Sequence, residues 1–144
     1  MLSTKPMDKN IQFLITANYR RMVSFEQAAF LTSEPSFKEF YLAKADESEI
    51  NIKQLQLMLQ VQNDGAPGAV EMGDMNKETY LPSILDGRKN AGKVLASIKL
   101  VEKSIAGWYK NTLKEISDLP KEIIELVEGQ YKSLNHTRLQ LETL

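Results

Sequence analysis

The chain has 144 residues, enough for one domain with a real core, and its 42% hydrophobic and 26% charged residues are ordinary globular values. A formal net charge of −1 leaves no basic field to hold nucleic acid or an anionic membrane. There is no cysteine, which excludes disulfides, thiolate metal sites and cysteine nucleophiles and fits a reducing compartment.

The first segment, "MLSTKPMDKNIQFL", has no long apolar run, and no stretch approaches ~18 uninterrupted apolar residues. Neither a secretory signal nor a membrane span is expected, and the compartment this implies is the cytoplasm. From about residue 9 to 31 the apolar spacing predicts a helix. At roughly 100° per residue, Ile11, Ile15, Asn18, Met22, Phe25 and Ala29 fall on one stripe, with Asp8 as its N-cap. Pro35 forbids continuation, and Ser33 or Ser36 is placed to cap a second helix over 35–62. In that helix Phe37, Phe40, Tyr41, Ile52, Leu55, Met58 and Leu59 share a face that Lys44, Ser48 and Asn51 interrupt. Ile50, Leu57 and Val61 lie on the opposite side. This spare stripe needs cover, from the segment that follows or from another subunit.

Residues 63–89 change character. "NDGAPGAVEMGDMNKETYLPSILDG" is rich in glycine and proline, too long for a turn, and suited to run the length of a neighbouring helix. A third helix over 90–117 carries Val94, Ile98, Val101, Ile105, Trp108, Tyr109 and Ile116. After "SDLPKE" a fourth over 120–142 buries Ile123, Val127, Gln130, Leu134 and Leu141. Asp118 is the expected cap and Pro120 the first-turn residue. Strand-like alternation is absent. The reading is one all-α domain over 1–144, an up-down four-helix bundle with one long crossover between helices 2 and 3.

Residues scattered along the chain carry a resemblance. They are Asn18 with Phe25, Ala28 and Ala29 on the first helix; Gly65 to Pro67 after the second; and Val94, Leu95, Glu102, Tyr109 and Leu113 on the third. The longest stretch is "DLPKEIIELVEGQYKSLNH", with its Leu-Pro start, Gln130 and His136. In their order these motifs resemble a bacterial ferritin-like family of unknown function, within the ferritin-like superfamily, over nearly the whole chain. That family's histidine after the glycine-proline turn is replaced here by Asn76. The resemblance implies a ferritin-like bundle that pairs through its helices.

Iron-binding members of the superfamily use a glutamate on each of two helices and Glu-x-x-His on each of the other two, because carboxylates bridge two cations while imidazoles complete their coordination. This chain has one histidine, His136, preceded three residues earlier by Ser133. Where the second helix offers Glu47 and Glu49, Ile50 and Ile52 stand in the imidazole positions. No metal or other cofactor is therefore expected, with His136 on a solvated or edge position. The alternative is an unconventional iron site built from Glu26, Glu102, Glu128 and His136, three carboxylates that also read as solvated helix-face charges. At mid-bundle, Asn18, Ser48, Asn51 and Gln130 are expected to form a neutral layer that satisfies itself, holds a water, or takes a small ligand.

Other chemistries find less. A Ser-His-acid set would need His136 buried beside a carboxylate. "DGAPG" and "EMGD" are turn signals without phosphate-loop spacing. Glu71 and Asp74 lack the spacing of a calcium loop. Trp108 and Tyr109 read as core and bundle edge, and Tyr19 to Arg21 as a small basic spot. The functional expectation is a non-catalytic bundle acting by self-association or through a protein partner at Ile50, Leu57 and Val61, with iron oxidation or storage as the alternative.

Overall fold

The computed structural model of the chain describes residues 6–62 and 91–144. They form four α-helices: α1 Pro6–Leu31, α2 Pro35–Gln62, α3 Ala91–Glu115 and α4 Lys121–Glu142. No strand occurs among the described residues. The expected crossover, with Gly65 to Pro67, Glu71, Asp74 and Asn76, lies outside the described residues.

The second helix starts at Pro35 as expected, but the helix caps differ from those expected. α1 begins at Pro6, so Asp8 lies inside the first turns rather than capping them; proline suits that first position because its missing N–H would have no partner there. α2 opens on Pro35, and the Glu34 carbonyl accepts the first helical bond from the Lys38 N–H at 3.0 Å. Ser36 is inside this helix and donates its hydroxyl to the Glu34 carboxylate at 3.3 Å instead of capping backbone. At α4, Pro120 itself is the N-cap, with no side-chain capping bond, and its carbonyl accepts from the Ile123 and Ile124 N–H groups. Asp118 stays outside. Proline's fixed φ suits the extended N-cap conformation, φ −54° and ψ 147°, but its side chain offers no acceptor to the first turn.

Each helix turns one apolar stripe inward, and side chains from all four meet in a shared core. The core falls into two apolar clusters. One gathers Ile11, Leu14, Ile15, Leu55, Leu59, Ile105, Ile116, Ile123, Val127 and Leu134. The other gathers Phe25, Ala28, Ala29, Tyr41, Ala45, Val94, Ile98 and Leu141. Phe37 and Phe40 extend the second cluster through edge contacts with the Tyr41 ring. Between the clusters, at the middle of every helix, lies a belt of buried polar residues.

The belt also shows helix direction. Asn18 meets Asn51 while Arg21 meets Ser48, so α1 and α2 run antiparallel. Asn18 meets Tyr109 while Arg21 meets Glu102, so α3 also runs against α1. Tyr109 meets Gln130 while Thr137 reaches the Arg21 level, so α4 runs against α3 and alongside α1.

Candidate functional site

Among the described residues, the polar belt is where all four helices bring hydrogen-bonding side chains together, and it has two levels. At the first, Asn18 on α1 donates from Nδ2 to the Tyr109 hydroxyl at 2.6 Å and to the Leu14 carbonyl at 2.8 Å. The Tyr109 hydroxyl in turn donates a hydrogen bond to Gln130 Oε1 at 2.6 Å. Gln130 Nε2 donates to Gln54 Oε1 at 3.0 Å and to the Asn51 carbonyl at 3.4 Å, and Asn51 Nδ2 returns to Asn18 Oδ1 at 3.0 Å. The ring closes on itself. Asn18, Tyr109, Gln130 and Asn51 each both give and receive, Asn51 accepting through its backbone carbonyl, and a buried polar network is favourable when its members are satisfied in this way.

One helical turn away the belt carries charge. Arg21 and Glu102 are both fully buried, and the guanidinium grips the carboxylate with two bonds, Nε to Oε1 at 2.7 Å and Nη2 to Oε2 at 3.1 Å. Such a fork is the strongest form of side-chain pairing available to arginine. Nη1 donates to Ser48 Oγ at 3.1 Å, and Nη2 reaches Thr137 Oγ1 at 3.5 Å. Glu47, at the belt's edge, places Oε1 2.9 Å from Nη1, and is itself held by Lys44 and the Ser133 hydroxyl. The guanidinium also lies over the Phe25 ring, 5.3 Å from its centre, where the belt meets the second apolar cluster.

Burial alone pushes the Arg21 pKa down, but Glu102 and Glu47 more than offset it and hold the guanidinium charged. Burial pushes the Glu102 carboxyl up, against the pull of Arg21; the two-pronged geometry is that of an ion pair. Tyr109 is pushed well above the ordinary tyrosine range by burial, the Asn18 hydrogen bond opposing only in part. Its hydroxyl therefore stays protonated and keeps the ring closed.

Asn18, Asn51 and Gln130 are brought together at the neutral level. Ser48 is not; it sits one turn along and serves Arg21. Glu102 is not a solvated helix-face charge but the buried partner of Arg21, whereas Glu26, Glu128 and His136 are exposed. Arg21, expected as part of a surface basic spot, is the largest fully buried side chain at the centre. The signal for it was present: it falls three residues after Asn18 and four before Phe25, on the inward stripe of α1. Tyr109 is buried and Trp108 half-buried beside it. Thr137 was legible by the same rule, seven residues beyond Gln130 on α4.

These residues do not fit a dinuclear iron centre. Both oxygens of Glu102 accept from Arg21, so the one carboxylate at that depth is already committed to a cation. The other three members of the alternative ligand set lie on the exposed surface. Among the described residues, no group of three or more histidine, aspartate or glutamate side chains is arranged to hold a metal ion. Nor is any described helix long and apolar enough to cross a membrane. Compared with family models, curated proteins and solved structures, the chain matches none.

Proposed function

We propose that this chain is a cytoplasmic, ferritin-like helical bundle without a catalytic centre, which acts by associating with a second copy of itself or with a protein partner. The observation that carries the reading is on α2. Ile50, Leu57 and Val61 form one stripe opposite the core face, and they are 55%, 61% and 60% exposed. A line of large aliphatic residues left open on a helix is the kind of apolar patch that serves as an interaction surface. Two further features support the reading. The centre is filled by an arginine held between carboxylates, in the depth where iron-binding relatives of the resembled superfamily would gather metal ligands. The helix directions, with α2 and α3 parallel, suit a bundle with one long crossover.

Size-exclusion chromatography with light scattering tests this. The native chain is expected to elute as a dimer, and Leu57→Glu, which places a charge in the middle of the stripe, to shift it to a monomer without loss of helix content. A strict monomer at all concentrations removes the self-association arm; failure of Leu57→Glu to alter either self-association or partner capture removes the surface altogether.

A further inference from the structure

The α2 stripe is bordered by charge, and that charge is divided along the helix. Towards the start of α2 the exposed side chains beside the stripe are acidic: Glu39, Asp46 and Glu49. From Ile50 to Val61 the only charged residue is Lys53, which stands beside the exposed Gln54 and Gln56. At roughly 100° per residue, Asp46, Glu49 and Lys53 fall on one flank of the line through Ile50 and Leu57. Lys53 and Glu49 are 72% and 54% exposed and their charged atoms are 4.0 Å apart, so both stay open to a partner.

Such a face is its own complement. A second copy turned by 180° about an axis across α2 would lay its Lys53 end on the acidic end, while aliphatic side chains met aliphatic side chains. A two-fold pair joins the same patch of both subunits, so a self-matching patch is what it requires. A parallel pair would set the two acidic ends side by side, where like charges repel. We propose that the α2 face binds a second copy of this chain, its α2 antiparallel across a two-fold axis near Lys53. Ile50 then packs beside Leu57 of the second copy, and Glu49 of each chain faces Lys53 of the other. This pairing rests on the proposed function and names the partner and its orientation.

The chain has no cysteine, so single cysteines report the orientation without interference. Under mild oxidation, a chain carrying Ile50→Cys is expected to cross-link to one carrying Leu57→Cys, and neither to itself. Each of these positions would lie about 10 Å along the helix from its own copy, too far for a disulfide. Both sites are exposed, so neither variant disturbs the core. In light scattering, Lys53→Glu and Glu49→Lys each weaken self-association roughly tenfold or more, by setting four like charges at the axis, and mixing the two restores it as a hetero-pair. Cross-linking of either cysteine variant to itself, no mixed cross-link in a chain that is dimeric, or indifference to both charge reversals overturns the proposal while the α2 surface of the proposed function stands. A strict monomer overturns this pairing together with self-association itself.

Discussion

Arg21 and Glu102 are both fully buried and grip each other through two bonds of 2.7 and 3.1 Å at the level where the two apolar clusters of the core meet. A pair so placed contributes less to net stability than to the choice of register. Taking both ions out of water costs several kcal/mol each, and the attraction does little more than repay it. Sliding α1 by one turn against α3 would strand a charge in the core. The expected consequence is asymmetric. Arg21→Met alone costs about 3–5 kcal/mol in chemical denaturation, because Glu102 is left uncompensated, whereas Glu102→Gln costs less because Arg21 keeps Glu47 2.9 Å away. Replacing both with methionine loses far less, and the coupling between the two sites in a double-mutant cycle is correspondingly large.

The neutral ring makes a separate prediction at Tyr109, which both accepts from Asn18 and donates to Gln130. Tyr109→Phe leaves the Gln130 side-chain oxygen and one Asn18 amide hydrogen unpaired in the core, while Asn18 Nδ2 keeps the Leu14 carbonyl, and lowers stability by about 1–3 kcal/mol.

The same residue fixes a pH dependence. Its pKa is raised by burial in the folded chain, so the folded state holds that proton more tightly than the unfolded one. The contribution is complete below the unfolded tyrosine value of about 10 and is lost as pH climbs from there through the folded value. Denaturation midpoints should fall over that alkaline window. Of the five tyrosines, Tyr109 should show its phenolate absorbance among the last as pH rises, and that high-pH component should vanish in Tyr109→Phe.

Gly107 and Gly129 lie within α3 and α4, both exposed, and a Cβ added at either would meet no heavy atom within 4 Å. Neither requires glycine for space. Alanine at each position should raise unfolding free energy by roughly 0.5–1 kcal/mol, by lowering the entropy of the unfolded chain. A loss of stability at either site would contradict this.

Much of the helical framework was legible in the sequence, because the 3.6-residue period of Val94, Ile98 and Ile105, or of Ile123, Val127 and Leu134, fits one face of a helix and not the two-residue alternation of a strand. Helix starts were less so: Asp8 and Asp118 have the chemistry of caps, but Pro6 and Pro120 set the backbone earlier or more sharply. The charged half of the belt was the least legible part. Arg21 and Glu102 carry the inward spacing, yet a charge on that stripe reads as an interruption until its partner on another helix is known, and the two stand 81 positions apart. Asn18, Asn51 and Gln130 could be placed at one level because antiparallel helices of similar length put their midpoints together. Their link through Tyr109 could not, since packing alone accounts for an aromatic on the core stripe.

The central claim is that the cation at the middle of this helical core is a guanidinium, so that Glu102 is not offered to metal. Anaerobic titration with ferrous iron, followed by desalting and elemental analysis, tests it most directly. The account predicts no stoichiometric retention of iron, and no change when alanine replaces Glu26, Glu128 or His136. Two irons held tightly per chain, lost on Glu102→Ala, would contradict it.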